Sequence, residues 1–295
     1  SGGTPCTVKK SSLSHPVDLG AEEIREELAA MIRVADYIIK RLCEEGIKDL
    51  FYVPGTQCVY LLDAIRRNGD MNGIAMHHEQ AASMAALSYS LYNRHFGACL
   101  VTTGCSGTNT MTGVLHAWQD SIPCIFISGQ QNYSQTIKSS ALPLRQVGIQ
   151  EADIETIMAS VTKFAVTVED KEKIAFYLDK AIYLAQSGRK GPVWLDIPMD
   201  IQNSMISEDR LERYVPNFAP LPTASKEDVQ FAADAVNQAE RPVILAGHGI
   251  YSAAAESELK NLVGKLSIPV VFTRFAYDLL PSDDKHNMGV VSGAN

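Results

Sequence analysis

The sequence lacks the features that mark several whole classes of protein. No apolar run approaches the roughly 20 residues that a membrane-spanning helix needs, and residues 1–3 open the chain without the apolar core of a secretory signal. Basic charge is not in excess. The 26 Lys and Arg residues face 34 Asp and Glu, a net charge of −8, and no Lys/Arg-rich block interrupts the chain. Nucleic acid and membrane are thereby set aside as partners. The six cysteines contain no CxxC pair, and the seven histidines no HExxH spacing. Both patterns argue against a protein-built transition-metal site. They fit reduced thiols in a cytoplasmic compartment.

What remains is an ordinary globular composition, 46% hydrophobic and 20% charged over 295 residues. That length suits one large domain or two. Residues 1–30 read as an N-terminal arm. From Ile32 apolar residues fall at helical spacing as far as Cys43, with Gly46 as a natural stop. Short β-rich runs then alternate with helical ones: strands near 50–53, 74–76, 98–102, 122–128, 162–168 and 193–197, and helices near 59–67, 79–94, 108–119 and 171–186. Several of these strands are apolar throughout, as at 123–127, which suits parallel strands covered on both faces. The rhythm predicts an α/β domain over 31–202, a doubly wound, mostly parallel sheet flanked by helices.

Residues 203–225 carry three prolines and little periodicity and read as a linker. Residues 226–295 begin a second, Rossmann-like α/β unit. Two strands are expected there, near 242–246 and 269–273, too few to bury both faces of a sheet. The second unit reads as incomplete.

In a sheet of this kind ligands bind at the carboxyl ends of the strands. Four strand ends carry small or polar residues: Pro54, Gly55, Thr56 and Gln57; His77, His78 and Glu79; Thr103, Gly104, Cys105, Ser106 and Asn109; and Ser128, Gly129 and Gln130. Glu79 stands out because it opens a helix of Ala, Ser and Met. Such a helix packs close to its neighbours and can hold a carboxylate partly buried. The helix dipole favours the charged form of that group, whereas desolvation opposes it. Glu151, Asp153 and Glu155 read as solvated or capping groups.

These pieces, in order, resemble a known family. Val53–Pro54–Gly55, His78–Glu79–Gln80, Thr103–Gly104 through Asn109, Asp120 to Pro123 and Ile127 to Gln130 resemble the pyrimidine-binding domain of thiamine diphosphate enzymes, in particular the acetolactate synthase-like branch. Gln150 to Asp153, Gly191 to Val193, Asp196 to Pro198, Arg241 to Gly247 and Ile268 to Val271 extend the likeness into the family's central domain.

The resemblance implies thiamine diphosphate with Mg2+ as cofactor. It makes Glu79 the catalytic carboxylate that hydrogen-bonds a pyrimidine nitrogen and so tunes the cofactor's own base. Pro54, Gly55, Thr56, Cys105, Asn109 and Gln130 become cofactor-pocket positions, and Thr56, Gln57 and Ser106 line the substrate pocket. A small 2-keto acid is the implied substrate, and FAD is a further cofactor that some relatives bind near Gly247. The family's Gly-Asp-Gly…Asn metal motif is not found. The expected partner is therefore a diphosphate-domain chain in a homo- or hetero-oligomer.

Two departures bear on substrate choice. Thr56 stands where the family has a second glycine, and Cys105–Ser106 follow Gly104 where it has Pro-Gly. The alternative from another class is a non-catalytic pyrimidine-domain protein serving assembly or regulation of a partner subunit. A nucleotide-binding oxidoreductase would rest only on the glycine loop at Gly247–His248–Gly249.

Overall fold

The computed structural model describes residues 30–140, 142–217 and 223–291. Almost all of the expected arm, 1–30, lies outside the described residues. The main unit is a six-stranded sheet of β2 (Asp49–Tyr52), β3 (Asn72–Ala75), β4 (Gly97–Val101), β5 (Cys124–Gln130), β6 (Phe164–Thr167) and β7 (Val193–Pro198). Its strand order is β3-β2-β4-β5-β7-β6, and every pairing is parallel. The chain winds outward in both directions from β2, so the loops after β2 and β4 part at a switch point.

The central strands are buried at every position. This explains their uninterrupted apolar runs: with helices on both faces, no position may alternate to solvent. One face packs Leu50, Leu100, Ile125 and Leu195 against the helices Val34–Glu44, Val59–Arg67 and Ile174–Gln186. The other packs Cys99, Val101, Phe126 and Trp194 against the helices Glu79–Asn93, Met111–Gln119 and Ile154–Met158. Each Leu or Ile fully removed from water contributes about 1.5–3 kcal/mol.

The Glu79–Asn93 helix buries Ala82, Ser83, Ala86, Leu87 and Ser90. Its small side chains permit close approach. A Cβ at Gly113 on the neighbouring helix would lie 2.2 Å from Ser83 Oγ, so only glycine fits there. The sequence therefore fixes the start of this helix, and Glu79 with it, against the rest of the unit.

Some expectations differ from the structure. Residues Met31–Arg33 form a strand, β1, and the first helix starts only at Val34. The partner of β1 is β8 (Met205–Ser207), an antiparallel strand within the segment read as a linker; a three-residue strand is too short to show a period. The second unit has three parallel strands rather than two, β9 (Ile244–Ala246), β10 (Val270–Phe272) and β11 (Asn287–Val290), in the order β11-β10-β9. β11 escaped notice because Asn287 and Gly289 break its apolar run.

The two units meet where the Arg94 guanidinium pairs with Glu256 at 2.5 Å and lies 4.1 Å from the Tyr251 ring centre. No helix among the described residues is long and apolar enough to cross a membrane.

Candidate active site

At the carboxyl edge of the main sheet, His78 ends the loop after β3 in extended backbone. Its Nδ1 accepts a hydrogen bond from the Gln80 amide at 3.1 Å, which starts the helix. Glu79 follows in the first turn, half-buried. Its Oε2 accepts from Asn109 Nδ2 at 2.9 Å. Asn109 belongs to the short helix Cys105–Asn109 after β4, which starts three residues earlier than expected. Cys105 and Ser106 are consequently helical.

The Ser106 hydroxyl is buried and makes no well-formed hydrogen bond, yet it lies close enough to Glu79 to favour its ionised form. Partial burial pushes the Glu79 carboxyl up. Asn109, the residue's own amide and Ser106 together outweigh burial and hold it below the ordinary carboxylate value. Burial acts as expected, and what opposes it is the set of hydrogen-bond donors around the carboxylate.

The turn that brings Asn109 round depends on Gly104. Its φ is +64°, and a Cβ there would sit 1.8 Å from the carbonyl oxygen of Gln150. A glycine is required on both counts. Gln150 itself holds a positive φ of 58°, a cost of order 1–3 kcal/mol that clusters at functional sites. Nothing in the sequence marks Gln150 for that conformation.

The other expected positions divide. Pro54 and Thr56 are exposed at the end of β2, and Thr56 opens a single 3₁₀ turn. Gly55 is extended, and Gln57 Oε1 accepts from Thr102 Oγ1 at 2.7 Å, tying the β2 and β4 loops together across the switch point. Cys105 is exposed beside Ser106. The structure thus brings together Glu79, Ser106 and Asn109, with the Pro54–Gln57 loop on the adjoining strand.

Gln130 does not join them. Its Oε1 accepts from Thr103 Oγ1 at 2.7 Å and from the Gln131 amide at 3.0 Å. Its Nε2 donates to the Ala152 carbonyl at 3.2 Å and to Asp196 Oδ2 at 3.1 Å. All of its amide capacity is spent inside the protein. The reason is that β5 runs two residues further than expected, pairing Gln130 with Pro198 of β7 and burying its side chain.

Asp196, the carboxylate it meets, carried no role in the sequence reading. A lone charge within an otherwise apolar strand was the available signal. Glu151 also departs from expectation. It is buried and accepts from the Ile137 and Val147 amides at 2.8 Å each, while Glu155 pairs with Lys138 and accepts from the Thr167 amide. Asp153 does cap its helix, accepting from the Thr156 amide.

The buried, unpartnered Ser106 hydroxyl beside an ionised carboxylate fits an aminopyrimidine ring, which offers both donors and acceptors. Mg2+ is not matched in the same way: no three His, Cys, Asp or Glu side chains converge among the described residues. A separate cleft of about 500 Å3 at the junction of the two units is lined by Arg189, Lys190 and Arg274, with Asp120, His248 and Thr273 among its other residues. Its three cationic side chains suit phosphate groups.

A parallel α/β unit that presents a hydrogen-bonded glutamate at its carboxyl edge, followed by the start of another such unit, defines a cofactor-binding class of enzyme domain. The chain belongs to the thiamine pyrophosphate enzymes. Residues 32–157 match the N-terminal TPP-binding domain of that family and residues 229–295 its central domain. It is 34% identical to a glyoxylate carboligase of Escherichia coli O157:H7 over 89% of the chain and 43% of the relative. It is 33% identical to an acetolactate synthase large subunit of Haemophilus influenzae (87% and 44%) and 32% identical to a probable one of Methanocaldococcus jannaschii (87% and 43%). The chain spans less than half the length of these relatives.

Proposed function

We propose that this chain supplies the pyrimidine-binding side of a thiamine diphosphate-dependent carboligase or decarboxylase acting on 2-keto acids, with acetolactate synthase-like carboligation as the reaction. The observation that carries this reading is the Asn109–Glu79 hydrogen bond with the Ser106 hydroxyl beside it. Thiamine diphosphate, when bound, supplies a nucleophilic carbon and an electron sink for the 2-keto acid.

The residues of this chain do the rest. Asn109 fixes Glu79 Oε2, and Glu79 Oε1 is assigned to accept the N–H of the pyrimidine ring. An ionised carboxylate there holds a proton on that ring nitrogen and so favours the imino form of the neighbouring amine, the form able to act as a base. Thr56 and Gln57 on one side, and Cys105 and Ser106 on the other, form the wall that a substrate meets. The Thr56 side chain and the absence of proline after Gly104 shape that wall differently from the usual family pattern.

In this reading the diphosphate and Mg2+ are held by a partner chain or a further domain. FAD is proposed for the cleft at Arg189, Lys190 and Arg274, where those side chains would hold its phosphates. The cytoplasmic location and the oligomer are parts of the same proposal.

The test combines the protein with thiamine diphosphate, Mg2+ and pyruvate, with and without the candidate partner, and follows CO2 release. Turnover only in the complex, strongly reduced by Glu79→Gln, is the expected result. Turnover indifferent to Glu79→Gln would overturn the assignment. Inactivity of a complex that still binds the cofactor would favour the assembly or regulatory role.

A further inference from the structure

A buried network leads from the interior of the main sheet to the Cys105–Asn109 helix, whose Asn109 meets Glu79. Asp196, on β7, is 1% exposed. Its Oδ1 accepts from Ser128 Oγ at 2.5 Å, and its Oδ2 from Gln130 Nε2 at 3.1 Å. Each of these partners reaches further. Gln130 Oε1 takes the Thr103 hydroxyl at 2.7 Å, immediately before the Gly104 turn. Ser128 Oγ takes the indole N–H of Trp194 at 2.9 Å. Gly107 sits over Ile154 and the Trp194 ring: a Cβ there would stand 3.0 Å from Ile154 Cδ1 and 3.6 Å from Trp194 Cζ2. The entry of the Cys105–Asn109 helix is therefore tied by hydrogen bonds to one carboxylate, and its middle packs on Ile154 and on the Trp194 ring that the same carboxylate orients through Ser128.

We propose that Asp196 is a positioning residue for the cofactor site: through Gln130 and Thr103 on one arm and Ser128 and Trp194 on the other, it sets the helix from which Asn109 and Ser106 meet Glu79. This deepens the proposed function and rests on it for its catalytic consequence, but the coupling itself is a property of the protein without cofactor.

The hydrogen-bond directions specify the ionised form. Gln130 has only N–H to offer, because its oxygen is committed to Thr103 and Gln131, and the Ser128 hydroxyl points its proton at Oδ1 because its oxygen already accepts from Trp194. A protonated Asp196 would have to donate where only donors face it. Burial pushes its carboxyl up to about 7, against the opposing pull of Ser128 and Gln130; Lys138 lowers it and Glu155 raises it through space. The grip on the helix should accordingly loosen as pH falls through neutrality.

The test reads the side-chain amide resonance of Asn109 by NMR, without cofactor, in the intact protein and in Asp196→Asn and Gln130→Met. His78, beside Glu79, is common to all three proteins. The expected result is an additional inflection near pH 7 in the native protein that disappears in Asp196→Asn and is diminished in Gln130→Met. An unchanged pH profile in the folded variants would overturn the proposal, as would a native profile with no inflection while Asp196 itself titrates. Should Asp196→Asn fail to fold, Gln130→Met alone decides. With cofactor and partner present, the concentration of thiamine diphosphate for half-saturation should rise about tenfold in Gln130→Met, the equivalent of one well-made hydrogen bond. Coupling that persists in a protein that never binds thiamine diphosphate would count against the proposed function and not against the network.

Discussion

Glu79 and Asp196 lie on the same sheet and meet opposite surroundings. Glu79, at the rim, is half-buried among an amide, a hydroxyl and a helix start that all favour its charge. Asp196, inside, is sealed from water and keeps only two neutral donors. One carboxyl is held below its ordinary value and the other pushed far above it. A folded protein that drives two carboxyls apart in this way separates an acceptor that stays ionised from a group that titrates near neutrality.

The largest effect expected from breaking this contrast falls at the rim. Glu79→Gln keeps the shape and removes the charge, and turnover in the complete enzyme should drop by roughly 10²–10⁴, measured as thiamine diphosphate-dependent CO2 release. A loss below tenfold would mean that the rim carboxylate does not act on the cofactor.

Next comes the interior. A carboxyl whose pKa is raised by folding contributes stability below its unfolded value, here 3.8, and loses it as pH rises through about 7. Asp196→Asn, neutral throughout, should therefore gain stability relative to the native protein as pH rises from 4 to 8, read as denaturation midpoints across that range. Glu79 has the opposite sign. Its lowered pKa contributes stability that is present above the unfolded value and lost as pH falls through the folded one.

A smaller effect is expected at Asn109→Ala, which removes one half-exposed hydrogen bond worth about 1 kcal/mol. Turnover should fall roughly fivefold with little change in melting temperature.

The smallest belongs to the second unit. The Lys226–Gln238 helix buries none of its residues, and Phe231 is 77% exposed. Phe231→Ser should alter the stability of this chain by less than about 0.5 kcal/mol. A larger loss, read in a denaturation curve, would show that the helix is covered.

Much of the main sheet was legible because parallel strands buried on both faces read as apolar runs, and the helices between them carry a clear period. The Val59–Arg67 helix falls where the periodicity put it. Glu79 was legible as a charge opening an otherwise small and apolar helix. Its partners were less so. That Asn109 reaches Glu79 depends on the Gly104 turn packing on Gln150, residues 46 positions apart in the chain, and no local pattern encodes such a contact. Gln130 misled for the opposite reason: its polarity suggested a rim position, whereas β5 continues through it and a buried carboxylate consumes its amide. β8 lies in a stretch without periodicity, and Asn287 and Gly289 interrupt the apolar run of β11.

The most direct test of the role given to Glu79 is the near-ultraviolet circular dichroism of thiamine diphosphate bound to the intact protein with its partner and Mg2+, a signal that distinguishes the amino and imino forms of the pyrimidine. An imino contribution is expected in the native protein and lost in Glu79→Gln. The same balance of forms in both proteins would contradict that role.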